Sequence, residues 1–126
     1  MRLDENDAGY LMDMLLAGRR VGRFVQGLPA EAFAGDELRR MAVERAFEVI
    51  GEAARLLSAD FHAARTPLPL GQMIGLRNVI AHGYAEIDYL RLHHIATVDV
   101  PDMIRILESL LPEGYRDELR DHRSEA

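Results

Sequence analysis

An arginine, a histidine and a tyrosine lie close together in the C-terminal half of the chain, and their side chains could perform acid–base chemistry. Arg77, His82 and Tyr84 fall within one eight-residue segment. An imidazole can take up and release protons near neutral pH, and a guanidinium can stabilise negative charge that develops on phosphate oxygens. Because the chain has no cysteine, thiolate nucleophiles, disulfides and cysteine-based zinc sites are excluded.

Arg77 lies on the apolar side of its predicted helix. With 3.6 residues per turn, that side also carries Leu70, Met73, Ile74, Ile80 and Ala81. Arginine is rarely buried without a partner, so Arg77 either pairs with a buried carboxylate or opens into a cleft. Glu48 and Glu52, which form an i, i+4 row with Glu44, are the candidate counter-charges. Charge reversal at Glu48 or Glu52 would test the pairing. It should restore an Arg77→Glu variant only if that glutamate is the partner of Arg77.

His82 follows Arg77 by five positions, so the two side chains of an unbroken helix would point about 140° apart. They can converge on one substrate only if the helix ends at His82 or if two subunits contribute to one cleft. Gly83 favours the first condition, because glycine suits the left-handed position after a helix. A two-fold dimer would supply the second. The partial negative charge of a helix C-terminus also favours a protonated imidazole.

Helical periodicity dominates the chain and predicts an all-α fold, a small antiparallel bundle of four main helices with short helical segments. The main helices are predicted over about 5–27, from Asp36 to about Leu57, from Leu70 to about Ala81, and from near Asp88 past Val98, where Pro101 kinks or splits the last one. Ser58 is expected to cap a short turn through Phe61 and His62. Gly51 would cost about 1 kcal/mol relative to alanine, which the close approach of another helix would explain.

The length of 126 residues predicts one domain, with the bundle over residues 1–112 and a charged tail or short helix over 113–126. A net charge of −6 requires that any RNA contact come from a local basic patch. Arg19, Arg20 and Arg23 fit such a patch and an ordinary solvated helix face equally well. No apolar run approaches the roughly 20 residues that cross a bilayer, so we expect a cytoplasmic protein with no membrane contact.

No metal or cofactor site is expected from the sequence. His93 and His94 are adjacent, and adjacent residues on a helix point apart, with no acidic or histidine partner evident beside them. They are interpreted as a solvated or interface pair.

Several segments resemble the HepT-like toxins of the HEPN family. The segment from Arg77 to Tyr84 resembles the family's R-x4-H-x-Y pattern, including a polar residue, Asn78, after the arginine. Similar segments follow the family's order and spacing over roughly residues 3–111: Tyr10–Leu15, Glu48–Ala53, Ile74–Asn78, Ile87–Asp88 and Asp99–Pro101. Members often carry tryptophan where this chain has Leu70 and His93, and both changes concern packing or the dimer surface.

The resemblance implies a HEPN-like bundle that forms a homodimer and acts as a metal-independent endoribonuclease toxin on RNA. It implies that Arg77 and His82 are catalytic and that Asn78 positions a phosphate or the histidine ring. The partner in that family is an MNT-type nucleotidyltransferase antitoxin. It silences the toxin by transferring AMP to the motif tyrosine, which is Tyr84 here.

Two other functions remain open from the residues alone. The chain could be a non-catalytic helical dimer that binds a nucleotide or the partner nucleotidyltransferase, and the acidic net charge favours this alternative. It could also be a purely structural bundle, since a fold does not fix a function. Loss of growth inhibition and RNA cleavage in His82→Ala would support the enzyme, and a neighbouring nucleotidyltransferase gene would support the toxin–antitoxin pair.

Overall fold

The protein is all-α over the residues that its structure describes, as the periodicity predicts. The structure is a computed structural model that describes residues 3–83, 86–111 and Gly114. Its elements are α1 (Glu5–Val25), α2 (Ala30–Ala34), α3 (Glu37–Leu56), α4 (Ala59–Ala63), α5 (Leu70–His82), α6 (Tyr89–His94), a π-helical segment (Ile95–Asp99) and α7 (Val100–Leu110). Tyr84 and, apart from Gly114, the segment 113–126 lie outside the described residues. The predicted dimer concerns a second chain and stays a prediction.

The two longest helices, α1 and α3, pack antiparallel. Asp7 near the start of α1 binds Ser58 after the end of α3, while Arg39 near the start of α3 donates to the carbonyl of Phe24 at the end of α1. The apolar stripe of α1 enters the core with Leu11, Leu15 and Val21 fully buried; across from it α3 buries Val43, Phe47 and Ile50. Hydrophobic stripes on both helices therefore form the centre of the bundle.

A buried aspartate fixes the turn between α3 and α4. Asp7 is 4% exposed, and its two carboxylate oxygens accept hydrogen bonds from the backbone N–H and the hydroxyl of Ser58, at 2.8 and 2.6 Å. The Ser58 hydroxyl also accepts from the N–H of Phe61, which makes Ser58 the predicted N-cap of α4. A buried carboxylate needs such partners, so this contact ties the start of the chain to the end of α3.

One element was not predicted from the sequence. The first main helix was expected to reach about residue 27, but it ends at Val25 because Gly27 adopts a left-handed backbone with φ of 70°. A separate five-residue helix, α2, then follows Pro29 and buries Phe33 completely. So short a segment shows no periodicity of its own, and it is held by the packing of Phe33 against α6 residues Tyr89 and His93.

The last predicted helix is continuous but changes its winding. A π-helical segment separates α6 from α7, and Pro101 lies in the first turn of α7. Proline lacks a backbone N–H and cannot donate to the preceding turn. The Thr97 hydroxyl donates to the carbonyl of His93 at 2.8 Å inside this region. Pro101 therefore neither splits the helix nor ends it, and the wider winding accommodates it.

Both departures from the family's tryptophans fall at packing positions. Leu70 begins α5 and is 7% exposed in the core. His93 is half-buried; one ring nitrogen lies 2.7 Å from the carbonyl of Leu28, and the ring packs on Phe33. His93 is thus occupied in packing between α2 and α6. Among the described residues, no helix combines the length and apolar character that a bilayer crossing requires.

Candidate active site

The candidate site begins where α5 crosses α3. A Cβ added to Gly51 would overlap the Cβ of Arg77 and would lie 2.7 Å from the carbonyl oxygen of Met73. Only glycine leaves room for this approach, which confirms that another helix packs closely on Gly51. The contact places the base of the Arg77 side chain directly on the α3 backbone. Its position relative to α3 is therefore fixed by main-chain packing.

The Arg77 guanidinium pairs with a carboxylate and also reaches solvent, but that carboxylate is not buried as the sequence suggested. Its side chain is 34% exposed, so it reaches solvent, and one of its terminal nitrogens lies 3.7 Å from Oε2 of Glu52. Glu52 is itself 38% exposed. The counter-charge is therefore a carboxylate at the surface, and it leaves the guanidinium accessible to a ligand.

Glu52 binds a second arginine more tightly than it binds Arg77. Nε and a terminal nitrogen of Arg55 donate to its two oxygens at 3.1 and 2.5 Å. Hydrogen bonds from Arg55 hold the pKa of Glu52 below its usual range, and the charges of Arg55 and Arg77 act in the same direction. The same hydrogen bonds raise the pKa of Arg55. Glu52 is therefore an ionised carboxylate at neutral pH, placed between two cations.

The other members of the acidic row form no ion pair with Arg77 in the described part of the chain. Glu48 lies 3.8 Å from Arg45, and no ion pair within 4.0 Å joins Glu48 to Arg77 in the described chain. Burial raises the pKa of Glu44, an effect that the nearby charge of Arg40 partly offsets. Among the described residues, only Glu52 of the two proposed counter-charges contacts Arg77, so Glu52 is its counter-charge and Glu48 is not.

Asn78 connects the arginine to the histidine. Its side-chain oxygen accepts a hydrogen bond from Arg77 at 3.2 Å, and its backbone oxygen lies 2.6 Å from Nδ1 of His82. A carbonyl oxygen can only accept, so this contact requires the proton on Nδ1 and leaves Nε2 for a substrate. The Asn78 side chain thus holds the guanidinium, whereas its main chain orients the imidazole.

α5 ends directly at His82, as Gly83 predicts. Gly83 adopts the left-handed conformation with φ of 65°. The exposed face of α5 includes Asn78, Val79 and His82, together with Gly71 and Gly75, where an added Cβ would meet no atom within 4 Å. These positions recur at steps of three and four and share one side of the helix. His82 therefore lies at the end of an exposed strip of α5.

Other sequence candidates lie away from this site. Arg19 of the basic cluster pairs with Glu108 of α7 at 2.9 Å, which makes it a contact between helices. Arg20 and Arg23 are exposed on α1. No cluster of three or more histidine, cysteine, aspartate or glutamate side chains suited to a metal ion is present among residues 3–83 and 86–111.

The chain matches one family over most of its length. Residues 14–110 match the family described as "Ribonuclease HepT-like". The chain belongs to the HepT-like family. The matched range contains the whole of α3 and α5, so Gly51, Glu52 and the segment from Arg77 to His82 all fall inside it.

Curated relatives of this HepT-like chain are similar over nearly their whole length. "Putative RNase MJ1380" of Methanocaldococcus jannaschii is 36% identical over 99 residues, covering 79% of this chain and 91% of the relative. "Probable ribonuclease HepT" of Thermococcus cleftensis is 30% identical over 101 residues, covering 80% of this chain and 92% of the relative. No solved structure matches the chain significantly.

One neighbour of this candidate site was not predicted from the sequence. Arg55 follows Glu52 by three positions on the same helix, a spacing that brings side chains together. The i, i+3 spacing alone could have indicated that Arg55 pairs with Glu52. That Arg77 is the second cation depends on the crossing of α5 over α3.

Proposed function

We propose that this HepT-like protein is a metal-independent endoribonuclease, the toxin of a HepT/MNT-type pair. The observation that carries the proposal is the linked arrangement of Arg77, Asn78 and His82 on one accessible helix end. A solvent-accessible guanidinium and an imidazole whose Nε2 has no hydrogen-bond partner among the described residues supply phosphate binding and proton transfer. Two relatives are named as an RNase and a ribonuclease, and these names agree with this chemistry.

RNA cleavage needs little more than these groups, because RNA carries its own nucleophile. A base removes the proton from a 2′-hydroxyl, whose oxygen attacks the adjacent phosphorus while the bond from phosphorus to the 5′-oxygen breaks. An acid delivers a proton to that leaving oxygen, so the products are a 2′,3′-cyclic phosphate and a 5′-hydroxyl. Arg77 stabilises the charge on the phosphate oxygens, and His82 transfers protons through Nε2.

A homodimer would complete this site. The reaction requires a base and an acid, and one α5 helix end supplies one histidine. The exposed strip of α5 would allow close pairing of two copies, since Gly71 and Gly75 present no side chain and Val79 is 42% exposed on the same side as Asn78 and His82. A two-fold axis near this strip would bring a second Arg77–His82 set into the same cleft.

RNA cleavage that survives metal removal is the direct test of the proposed function. We expect the purified protein to cut a single-stranded RNA in the presence of EDTA and to leave a DNA of the same sequence intact, because only RNA has the 2′-hydroxyl. The fragments should carry 2′,3′-cyclic phosphate ends, which mass spectrometry identifies. Cleavage that requires an added divalent ion, or equal cleavage of the DNA, would contradict the mechanism.

AMP transfer to Tyr84 is the proposed means of silencing. Tyr84 lies two residues after His82 in the sequence, and we expect an AMP group there to add a bulky anion that blocks and neutralises the site. Incubation with an MNT-type nucleotidyltransferase and ATP should add one or more AMP units, detected by intact mass, and should stop RNA cleavage. Tyr84→Phe should gain no mass, while Tyr89→Phe on α6 should still be modified. Modification of both variants to the wild-type extent would contradict the assignment.

A further inference from the structure

The Glu52 carboxylate lies between two arginines that it does not share equally. Arg55 reaches both of its oxygens, at 3.1 and 2.5 Å. The nearest approach of Arg77 is 3.7 Å, which exceeds the 2.7–2.9 Å typical of a charge-assisted hydrogen bond. Glu52 and Arg55 belong to the same helix at i, i+3, so their pairing does not depend on the position of α5.

The unequal sharing affects how much positive charge Arg77 can offer. A carboxylate in full bidentate contact with Arg77 would occupy the donors that a substrate phosphate needs. Oε2 of Glu52 would have to move by only about 1 Å to reach that contact. The described contacts that hold it back come from Arg55, a residue of the same helix α3 whose side chain is 54% exposed.

We propose that Arg55 is a positioning residue for Arg77: by holding Glu52 in a bidentate pair on α3, it keeps that carboxylate from neutralising the guanidinium that binds the substrate phosphate. This inference rests on the proposed ribonuclease function. Arg55 itself does not touch the reacting atoms. Removing Arg55 therefore harms the site only while Glu52 is present.

The test compares Arg55→Gln, Glu52→Gln and the double variant in a His82→Ala background, so that the RNA stays intact. Fluorescence anisotropy measures the Kd for a short single-stranded RNA. We expect Arg55→Gln to weaken binding roughly two- to fivefold, the range of a surface ion-pair interaction. The double variant should bind as Glu52→Gln does, because no carboxylate is left to capture Arg77.

Arg45→Gln is the matched control, because Arg45 pairs with Glu48 on the same helix at the same i, i+3 spacing. It removes the same charge without freeing Glu52, and we expect its effect to be smaller than that of Arg55→Gln. Equal weakening by both variants would show that only overall charge matters. If Arg55→Gln weakens binding by the same factor in the wild type and in the Glu52→Gln variant, Arg55 binds RNA itself. Either result overturns the proposal.

Cleavage kinetics separate this inference from the proposed function. With His82 restored, Arg55→Gln should lower kcat/KM, and it should have no further effect in an Arg77→Ala background. An additive loss in that background contradicts action through Arg77. Wild-type cleavage by Arg77→Ala itself would contradict the proposed function, whatever the result for Arg55.

Discussion

His82→Ala is expected to lower the rate of RNA cleavage by about 10²–10⁴-fold, the usual contribution of a general acid or base. Its Nδ1 contact with the Asn78 carbonyl directs Nε2 outward, and alanine removes that proton carrier without disturbing the core, since the side chain is exposed at the end of α5. Initial rates on a labelled RNA measure the effect. The melting temperature should stay near that of the wild type.

His94→Ala is the matched control for this prediction, because His94 is also an exposed histidine on a helix, α6. It should cleave RNA at the wild-type rate. A His82→Ala variant that is fully folded and fully active would remove His82 from the mechanism. Equal loss in both histidine variants would indicate that a general change in charge or stability, and not proton transfer at α5, lowers the rate.

Gly51→Ala is expected to destabilise the protein and to impair the site together. The new methyl group would overlap the Cβ of Arg77 and crowd the Met73 carbonyl, and neither of these atoms is the movable end of a side chain. Overpacking costs about 1–3 kcal/mol, only partly offset by the gain of up to about 1 kcal/mol in helix propensity. α5 must move away from α3 and take Arg77 with it. A displacement of 1 Å can cost about 10²-fold in rate.

Gly22→Ala provides the comparison for Gly51→Ala. Gly22 lies within α1, where an added Cβ meets nothing within 4 Å, so the substitution should stabilise the helix by about 0.5–1 kcal/mol. Urea unfolding of both variants gives the two free energies, and cleavage assays give the two rates. If Gly51→Ala is as stable and as active as Gly22→Ala, the close crossing of α5 over α3 is not required for the site.

Several helix boundaries were predictable because their signals are local. Asp36 caps α3 by accepting from the N–H of Arg39, and Ser58 caps α4 in the same way. Gly83 ends α5 through its left-handed backbone. The short α2 gave no such signal. It depends on Phe33 finding a buried position against α6, which is a tertiary contact between distant parts of the chain.

The candidate site, like the fold, was predictable from the sequence only in part. The sequence by itself pointed to Arg77, Asn78 and His82 through the resemblance to the R-x4-H-x-Y pattern, and it predicted the helix end after His82 because Gly83 suits the left-handed position there. Only the tertiary structure decided that Glu52 and not Glu48 contacts Arg77, so that Arg55 and Arg77 compete for the Glu52 carboxylate. One turn of α3 separates the two glutamates. The choice between them depends on where Gly51 lets α5 cross, and that crossing is set by packing between helices.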